Sequence, residues 1–294
     1  MQEYYPDGLL RVSLMDGQAR AFLLESTHMV EEARRIHSLS RTATAALGRT
    51  LSVTSILGCM LKGADESVTC RVEGNGPAGL IMTVGKSDGS VKGFVSHPGA
   101  DVPRRAEKLD VGALVGHEGT LTVIKDMRMR EPYIGQVPLV SGEIGEDFAM
   151  YFTSSEQTPS LVSVGVLVAE QVVSAGALVI QVMPGASDIA IKSIEASAGM
   201  FMEISKTMLT DHLDGALEQL LTHLEPKVLE RIPVSYKCDC SRERFERALI
   251  SLGAKELRDM IKEQNGAELD CHFCNTRRRF TAEELEALAQ RAAQ

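Results

Sequence analysis

The order of apolar and polar positions divides the first part of the chain into strand-like and helix-like stretches. Residues 8–25 alternate between apolar and polar side chains, with Asp16-Gly17 as a hairpin turn. From about Met29 the apolar positions recur at three- and four-residue steps, which predicts a helix. We expect Gly48 to interrupt it and a second apolar helix to stop near Gly63.

Short runs rich in β-branched residues predict six strands between residues 67 and 182. The runs cover 67–72, 80–84, 91–95, 120–124, 163–168 and 177–182. A helix over 143–152, with acidic residues in its first turn, separates the last two runs from the others. Because the strands and helices alternate without regular βαβ spacing, the pattern favours an α+β fold. The predicted N-terminal domain covers residues 1–183 and mixes sheets and helices.

Pro184-Gly185 marks a change from strands to helices. Residues 187–230 are predicted to be helical, and their apolar positions form two stripes. The first stripe is Ile191, Ile194, Ala198 and Met202, and the second is Leu213, Leu217, Leu220, Leu221 and Leu224. We therefore predict a helical linker over 184–231 and a C-terminal domain over 232–294. The latter has helical patterns near 242–252 and 255–263 and from Thr281 onward.

Four cysteines give the C-terminal domain its most informative chemistry. Cys238 and Cys240 form one close pair, and Cys271 and Cys274 form another after a gap of thirty residues. Two close thiol pairs can supply the four thiolates of a tetrahedral Zn²⁺ site. The same pairs can instead become two local disulfides. The one-residue gap in C-x-C distinguishes this pattern from a plain zinc ribbon with two C-x-x-C pairs.

A structural metal is physically expected, because a unit of some sixty residues buries little apolar surface. Four thiolates leave no open position for water, which argues against a catalytic zinc. His272 lies between two of the cysteines and is expected to be an exposed loop residue. A permanent, inert zinc staple remains an alternative to a redox-sensitive one. Since a Cys238–Cys240 ring should be strained, we expect Cys271 and Cys274 to oxidise first.

Charge and hydropathy narrow the class of partner. The net charge is −9, and the segment from Ile232 onward holds 11 basic and 11 acidic residues, so the whole excess lies before it. An acidic body without a broad basic face makes nucleic acid an unlikely main partner. No stretch approaches about 18 uncharged apolar residues, and the start of the chain lacks a secretory signal pattern. We expect a cytoplasmic protein.

Two other features have simpler explanations. The sequence Gly74-Asn75-Gly76-Pro77-Ala78-Gly79 fits G-x-G-x-x-G, but another strand follows it, so hairpin glycines explain it better than a nucleotide site. Cys59 and Cys70 have no nearby partner and are expected to be buried, inert side chains. The basic residues near the four cysteines could offset the thiolate charge and keep the sulfurs ionised. They are Lys237, Arg242, Arg244, Arg277, Arg278 and Arg279.

The residues resemble the heat shock protein thirty-three family of redox-regulated, zinc-binding chaperones. The strongest likeness is Cys238-Asp239-Cys240-Ser241-Arg242-Glu243-Arg244 together with Cys271-His272-Phe273-Cys274. Supporting stretches are Gly74-Asn75-Gly76-Pro77, Gly93-Phe94-Val95, Lys108-Leu109-Asp110-Val111-Gly112, Glu131-Pro132-Tyr133, Ser141-Gly142-Glu143-Ile144 and Ser155-Glu156-Gln157. Arg128 and Arg278 depart from the family pattern, in which a small residue and an aromatic one are expected.

The resemblance implies an ATP-independent holdase that is not an enzyme and is inactive while reduced and zinc-bound. Carried onto this chain, it makes the four cysteines both the zinc ligands and the disulfide pairs 238–240 and 271–274. It also implies that oxidation unfolds a metastable linker and the zinc domain. Apolar surface then becomes exposed, and homodimers that hold unfolding client proteins are favoured.

Two other classes of function remain open on the residues alone. One is a thiol-disulfide oxidoreductase with Cys271 and Cys274 as its active pair and a structural zinc module. The other is a zinc-ribbon nucleic-acid binder, for which Arg277-Arg278-Arg279 is the only support. Turnover of insulin disulfides would favour the first, and salt-dependent binding of DNA or RNA would favour the second.

Overall fold

The computed structural model describes residues 6–106 and 108–292, and the chain divides into two compact units, Met1–Lys237 and Cys238–Gln294. The expectation that the start of the chain lacks a secretory signal rests mostly on residues 1–5. These residues lie outside the described part of the chain. In the part of the chain that is described, no helix is long and apolar enough to cross a membrane.

The described residues form thirteen strands and nine α-helices, which confirms the predicted α+β class. The strands are β1 (Gly8–Leu14), β2 (Ala19–Glu25), β3 (Ser67–Gly74), β4 (Leu80–Lys86), β5 (Ser90–Val95), β6 (Gly119–Asp126), β7 (Tyr133–Pro138), β8 (Ser160–Val168), β9 (Val172–Val182), β10 (Lys227–Pro233), β11 (Ser235–Tyr236), β12 (Gly266–Asp270) and β13 (Arg277–Thr281). The helices are α1 (Thr27–His37), α2 (Arg41–Cys59), α3 (Val111–Val115), α4 (Gly145–Ser154), α5 (Asp188–Phe201), α6 (Ile204–Leu221), α7 (Arg242–Leu252), α8 (Ala254–Gln264) and α9 (Ala282–Ala292).

The N-terminal unit is built from two sheets and a central helix. One sheet has the order β10-β1-β2-β9-β8, and the other has the order β11-β5-β4-β3-β6-β7. Helix α2 contacts strands of both sheets and is buried along almost its whole length. The glycine-rich segment 74–79 joins the antiparallel strands β3 and β4, which confirms that its glycines belong to a hairpin and not to a nucleotide site.

The predicted interruption at Gly48 is wrong. The break between α1 and α2 lies at Ser38, whose φ of 50° is left-handed, and Ser40 then caps α2 by accepting a hydrogen bond from the Ala43 N–H. Gly48 lies inside α2, where a Cβ would come within 2.6 Å of Val30 Cγ1. The glycine therefore allows close packing of two helices and does not end one. Helix α2 ends at Cys59, four residues before the predicted stop.

Both faces of the five-stranded sheet are apolar and both are covered. Along β2, Phe22 and Leu24 face the core around α2, whereas Ala21 and Leu23 face a second core. Helices α5 and α6 cover this second face. The buried side chains of these two helices include Ile194, Phe201, Ile204, Met208, Leu213, Ala216, Leu220 and Leu221. Met202, which was assigned to the first stripe, is instead 81% exposed, because the chain turns between α5 and α6 next to it.

Helix α6 is bent at His212, whose φ of 53° and ψ of −165° are not helical. The buried carboxylate of Glu25, at the end of β2, accepts hydrogen bonds from His212 Nδ1 at 3.0 Å and from the Leu213 N–H at 3.0 Å. An acidic group at the start of a helical segment satisfies an N–H that lacks an intrahelical partner. Glu25 thereby ties the second half of α6 to the sheet.

The prediction of helix through residue 230 is wrong, because 227–233 form strand β10. Pro226 ends the helical stretch, and β10 then pairs antiparallel with β1, with Ile232 opposite Leu9. The next residues form β11, in which Tyr236 pairs parallel to Val91 of β5. The compact C-terminal unit accordingly begins at Cys238, six residues after the predicted domain start. The division into core, metastable linker and zinc domain stays a prediction.

The C-terminal unit contains a β12–β13 hairpin and the helices α7, α8 and α9. The predicted helix over 242–252 is confirmed to the residue, and the helix predicted over 255–263 extends by one residue at each end. The core of the C-terminal unit is small. Its buried apolar side chains are Leu249, Leu257, Phe280, Leu285, Leu288 and Ala289. A unit of this size with so few buried side chains depends on additional cross-links for stability.

Candidate metal centre

Two short segments of the C-terminal unit deliver the four cysteines. Cys238 and Cys240 lie directly before α7, whose first turn is capped by the hydroxyl of Ser241. Cys271 and Cys274 lie in the hairpin turn between the paired residues Asp270 and Arg277. Capping of α7 therefore positions the segment with Cys238 and Cys240, and pairing of β12 with β13 positions the turn with Cys271 and Cys274.

Backbone hydrogen bonds shape the Cys271–Cys274 turn. The Cys271 N–H donates to the Thr276 carbonyl at 3.0 Å, and the Asn275 N–H donates to the Cys271 carbonyl at 2.8 Å. Asn275 has a φ of 55°, a left-handed conformation that asparagine tolerates well. The turn thus directs both sulfurs toward the same side.

The four sulfur atoms lie within 4.8 Å of one another. Cys238 Sγ is 3.7 Å from Cys271 Sγ, and Cys240 Sγ is 3.3 Å from Cys274 Sγ. A tetrahedral site with Zn–S bonds of about 2.3 Å has sulfur–sulfur edges of about 3.8 Å. The spacing and the donor type therefore fit a four-thiolate metal site. All four residues of the predicted set meet there, and His272 is an exposed residue outside the cluster, as expected.

Burial and the neighbouring thiols perturb the protonation of the cluster. Burial raises the pKa of Cys238, and burial with the nearby Cys274 thiol raises the pKa of Cys240 to about 11. Burial also acts to raise the pKa of Cys274, but hydrogen bonds from Thr276 and the neighbouring thiols outweigh it and lower that pKa to about 7. Thr276 Oγ1 lies 3.2 Å from Cys274 Sγ. A polar residue two positions after the last cysteine was the signal for Thr276 that the sequence analysis missed.

Three of the arginines near the cysteines pair with carboxylates, and an additional role in offsetting thiolate charge stays a prediction. Arg244 lies 2.6 Å from Asp239, and Arg277 lies 2.8 Å from Asp270. Arg279 pairs with Glu268 at 2.7 Å. These acidic partners lie close in the sequence or on the facing strand, so they compete directly for the arginines. The pairing also removes most of the free positive charge from the arginine triplet that supported nucleic-acid binding.

Arg242 and Arg278 behave differently. The Arg242 guanidinium lies 4.5 Å from the centroid of the Phe280 ring and pairs with Glu284, which closes α7 against β13 and α9. Arg278, one of the departures from the family pattern, is half-buried, and its Nε has no hydrogen-bond partner among the described residues. The two remaining cysteines, Cys59 and Cys70, are buried outside the cluster, as predicted.

Comparison with known proteins identifies the family. The model of the family described as "Hsp33 protein" matches residues 7–281. The chain belongs to the Hsp33 family. A 33 kDa chaperonin from Bacillus subtilis is 45% identical over 288 residues, covering 96% of this chain and 98% of the relative. One from Alkaliphilus metalliredigens is 44% identical over 285 residues, covering 95% of this chain and 97% of the relative.

A solved Hsp33 structure has the same fold. The crystal structure of the 33 kDa chaperonin from Thermotoga maritima aligns with a TM-score of 0.88 at 35% identity, covering 98% of this chain and 99% of that chain. Hsp33 is a family of molecular chaperones and not of enzymes. The family resemblance noted from the four cysteines and the supporting stretches is thus confirmed over nearly the whole chain.

Proposed function

We propose that this protein is a redox-regulated, ATP-independent holdase whose reduced, zinc-bound form is inactive. Membership of a family whose members are named chaperonins supports the chaperone function itself. One observation carries the regulation: α5 and α6 cover a second apolar face of a sheet whose first face already packs on a complete core. That layer can leave without dismantling the core around α2.

Removal of α5 and α6 would expose two apolar surfaces together. The sheet would uncover side chains such as Leu23, Leu178 and Ile180, and the helices would uncover Phe201 and Leu220. Contiguous apolar patches beyond about a few hundred Å² are unusual on monomeric proteins and mark binding sites. Unfolding client proteins, which expose apolar segments of varied sequence, are the partners that such surfaces fit.

The four cysteines supply the proposed switch. When bound, Zn²⁺ cross-links the segments carrying Cys238/Cys240 and Cys271/Cys274 through four thiolates. Two thiolates, one hydrogen peroxide and two protons from solvent give one S–S bond and two waters, so each cysteine pair passes two electrons to the peroxide. The oxidised sulfurs no longer supply thiolate ligands. A unit with six buried core side chains then lacks its main cross-link and unfolds.

A short segment of the chain connects unfolding of the C-terminal unit with release of the α5–α6 layer. β10 and β11 lie between α6 and Cys238, and they hold the chain to both sheets of the N-terminal unit. The Tyr236 hydroxyl donates to the Gly93 carbonyl at 2.7 Å and lies 3.1 Å from His37 Nε2. The Lys237 N–H donates to the Val91 carbonyl at 2.9 Å. We infer that unfolding of the C-terminal unit weakens this segment first and the α5–α6 layer next.

The proposal includes cytoplasmic localisation, homodimers after activation, and neither nucleic acid nor membrane as a partner. Two close sulfur contacts join Cys238 to Cys271 and Cys240 to Cys274, across the segments. The disulfides implied by the family are instead 238–240 and 271–274, and this pairing stays a prediction. Peptide mapping of the oxidised protein distinguishes the local pairs from the crossed ones.

Light scattering from a heat-aggregating client protein tests the function. Peroxide-treated protein should suppress aggregation under mild heating, and reduced, zinc-loaded protein should not. Equal suppression of aggregation by the oxidised and reduced forms would contradict the proposed redox regulation. The thiol-disulfide oxidoreductase, the alternative left open by the residues alone, is not favoured, because Hsp33 is a family of chaperones and not of enzymes. Catalytic reduction of insulin disulfides by the reduced protein would favour it.

A further inference from the structure

A cavity of about 740 Å³ lies in the N-terminal unit where helix α2 ends. Strands β1 and β2 supply Arg11 and Arg20 to its wall, the residues after α2 supply Lys62, and strand β10 supplies Glu230. Among its described lining residues there is no member of the four-cysteine cluster. The cavity is therefore a feature that the proposed redox switch does not use.

The cavity is positive in a negative protein. Three cationic side chains line it, and Glu230 is the only carboxylate among its described lining residues. The lining charge is therefore +2, whereas the chain as a whole carries −9. Lys62 is exposed and its ammonium pairs with no described carboxylate. This local excess of positive charge attracts anions.

The strand register brings the two arginines together. Arg11 lies opposite Phe22 in the β1–β2 pair, and Arg20 precedes Phe22 by two residues on the same face of β2. Their guanidinium carbons lie 5.9 Å and 5.7 Å from the Phe22 ring centroid. Burial lowers the pKa of Arg20, the charge of Glu156 opposes that shift, and the charge of Arg11 adds to it. Two like charges thus share one wall.

Both guanidinium groups keep hydrogen-bond donors in reserve. Arg11 binds Glu230 at 3.1 Å through one terminal nitrogen and the Cys59 carbonyl at 2.6 Å through the other, which leaves one N–H on each of these nitrogens. Arg20 donates from Nε to Gln181 Oε1 at 2.9 Å, which leaves its terminal nitrogens for another acceptor. A guanidinium presents paired N–H groups that match phosphate oxygens.

We propose that this cavity binds a phosphate group, as free phosphate or as a small phosphate monoester, between Arg11 and Arg20. Lys62 contributes at the solvent side. The lining charge of +2 matches a phosphate dianion better than a monocarboxylate. Phe22 is only 2% exposed, so its ring offers no stacking surface, and recognition of a nucleobase is not part of the proposal. Because Glu230 and Leu229 of β10 also line the cavity, an occupant would contact the segment that follows α6.

Isothermal titration of full-length, reduced, metal-loaded protein tests this site, with inorganic phosphate and glycerol 3-phosphate as probes at constant ionic strength. We expect saturable binding of at least one probe. Tighter binding of glycerol 3-phosphate identifies a monoester site, and tighter binding of inorganic phosphate identifies a free-anion site. Absence of binding by both probes up to about 10 mM, an affinity too weak for a built site, would overturn the proposal.

Matched variants locate the site. Arg20→Gln should weaken binding by about tenfold or more, because it removes a charge-assisted hydrogen bond. Lys62→Gln should weaken it by about threefold, as an exposed cation contributes less. Arg41→Gln, at the other end of α2, should leave it unchanged. If Arg20→Gln does not fold, as circular dichroism would reveal, Lys62→Gln carries the test. Unchanged binding by the folded cavity variants would contradict the assignment, whatever the outcome of the chaperone assay.

Discussion

The two compact units of the chain are stabilised by different means. The N-terminal unit surrounds α2 with two sheets and adds a second apolar layer, α5 and α6, on the outer face of one of them. Among its described residues, the C-terminal unit has six buried core side chains and a cluster of four cysteines. Loss of a few bonds therefore has unequal consequences. On the proposed mechanism, we expect the first unit to lose a layer at most and the second to lose its fold.

Removal of the metal should have the largest effect on this comparison. Apparent zinc-binding free energies of about 10–16 kcal/mol in small domains exceed the total stability of about 5–15 kcal/mol of a typical domain. We expect Cys271→Ser, which removes one of the proposed ligands, to abolish stoichiometric zinc binding and to unfold residues 238–292. Zinc analysis and limited trypsin digestion measure the two effects.

Cys70→Ala is the matched control for that variant, because it also removes a buried cysteine but lies outside the cluster. It should keep its zinc and its protease-resistant C-terminal unit. A Cys271→Ser protein that remained resistant to trypsin beyond residue 238 would show that the small core suffices without the metal.

Truncation of Phe201 should loosen the α5–α6 layer without oxidation. Its side chain is fully buried in the second core, and Phe→Ala changes in cores cost about 3–5 kcal/mol. We expect the reduced Phe201→Ala variant to bind a fluorescent apolar dye and to suppress client aggregation in part. Met202→Ala, at the adjacent exposed position, should behave as wild type. Equal dye binding by the two variants would argue against a detachable layer.

Tyr236 should contribute a smaller amount to the docking of the segment before Cys238. Tyr236→Phe removes the hydrogen bond to Gly93 and the contact with His37, which predicts a loss of about 1–2 kcal/mol in the free energy of unfolding. Urea denaturation of the reduced protein measures it. Tyr133→Phe also removes a hydroxyl-to-carbonyl hydrogen bond, to Ser155 at 2.9 Å, but because this one is solvent-exposed its loss should change stability by less than about 0.5 kcal/mol.

The buried cysteines should give the smallest effect and only at high pH. Burial raises the pKa of Cys59 and of Cys70 from 9.0 to about 12, so folding favours their neutral form. Their contribution to stability is fully present below about pH 9 and is lost as the pH rises through about 12. At pH 8 iodoacetamide should therefore spare both in the native protein. Mass spectrometry that found either one alkylated before unfolding would contradict their burial as thiols.

The sequence was sufficient where local signals and structure agree. Ser241 and Gly253 bracket α7 at the predicted residues, because a capping serine and a glycine with a φ of 92° act locally. The four cysteines were identified as one site because their types and spacing specify the donor set. Gly48 was misleading, since its role is set by Val30 on another helix. The strand at 227–233 was missed because it depends on pairing with β1.

Features that depend on the tertiary fold were also beyond the sequence. The covering of both faces of one sheet follows from the topology, in which β1, β2 and β9 lie side by side. The pairing of the arginines with Asp239, Glu268 and Asp270 requires the hairpin register and the turn before α7. The assignment of Met202 to the first apolar stripe was wrong for the same reason. The direction of the chain between α5 and α6 decides how exposed Met202 is.

Hydrogen–deuterium exchange of full-length protein, followed by peptide, tests the central claim most directly when reduced and peroxide-oxidised samples are compared. The account predicts that oxidation removes protection from residues 238–292 and from α5, α6 and β10, while α2 and strands β3 to β6 remain protected. Oxidised protein that kept full protection in residues 238–292, or that lost protection in α2 to the same extent, would contradict it.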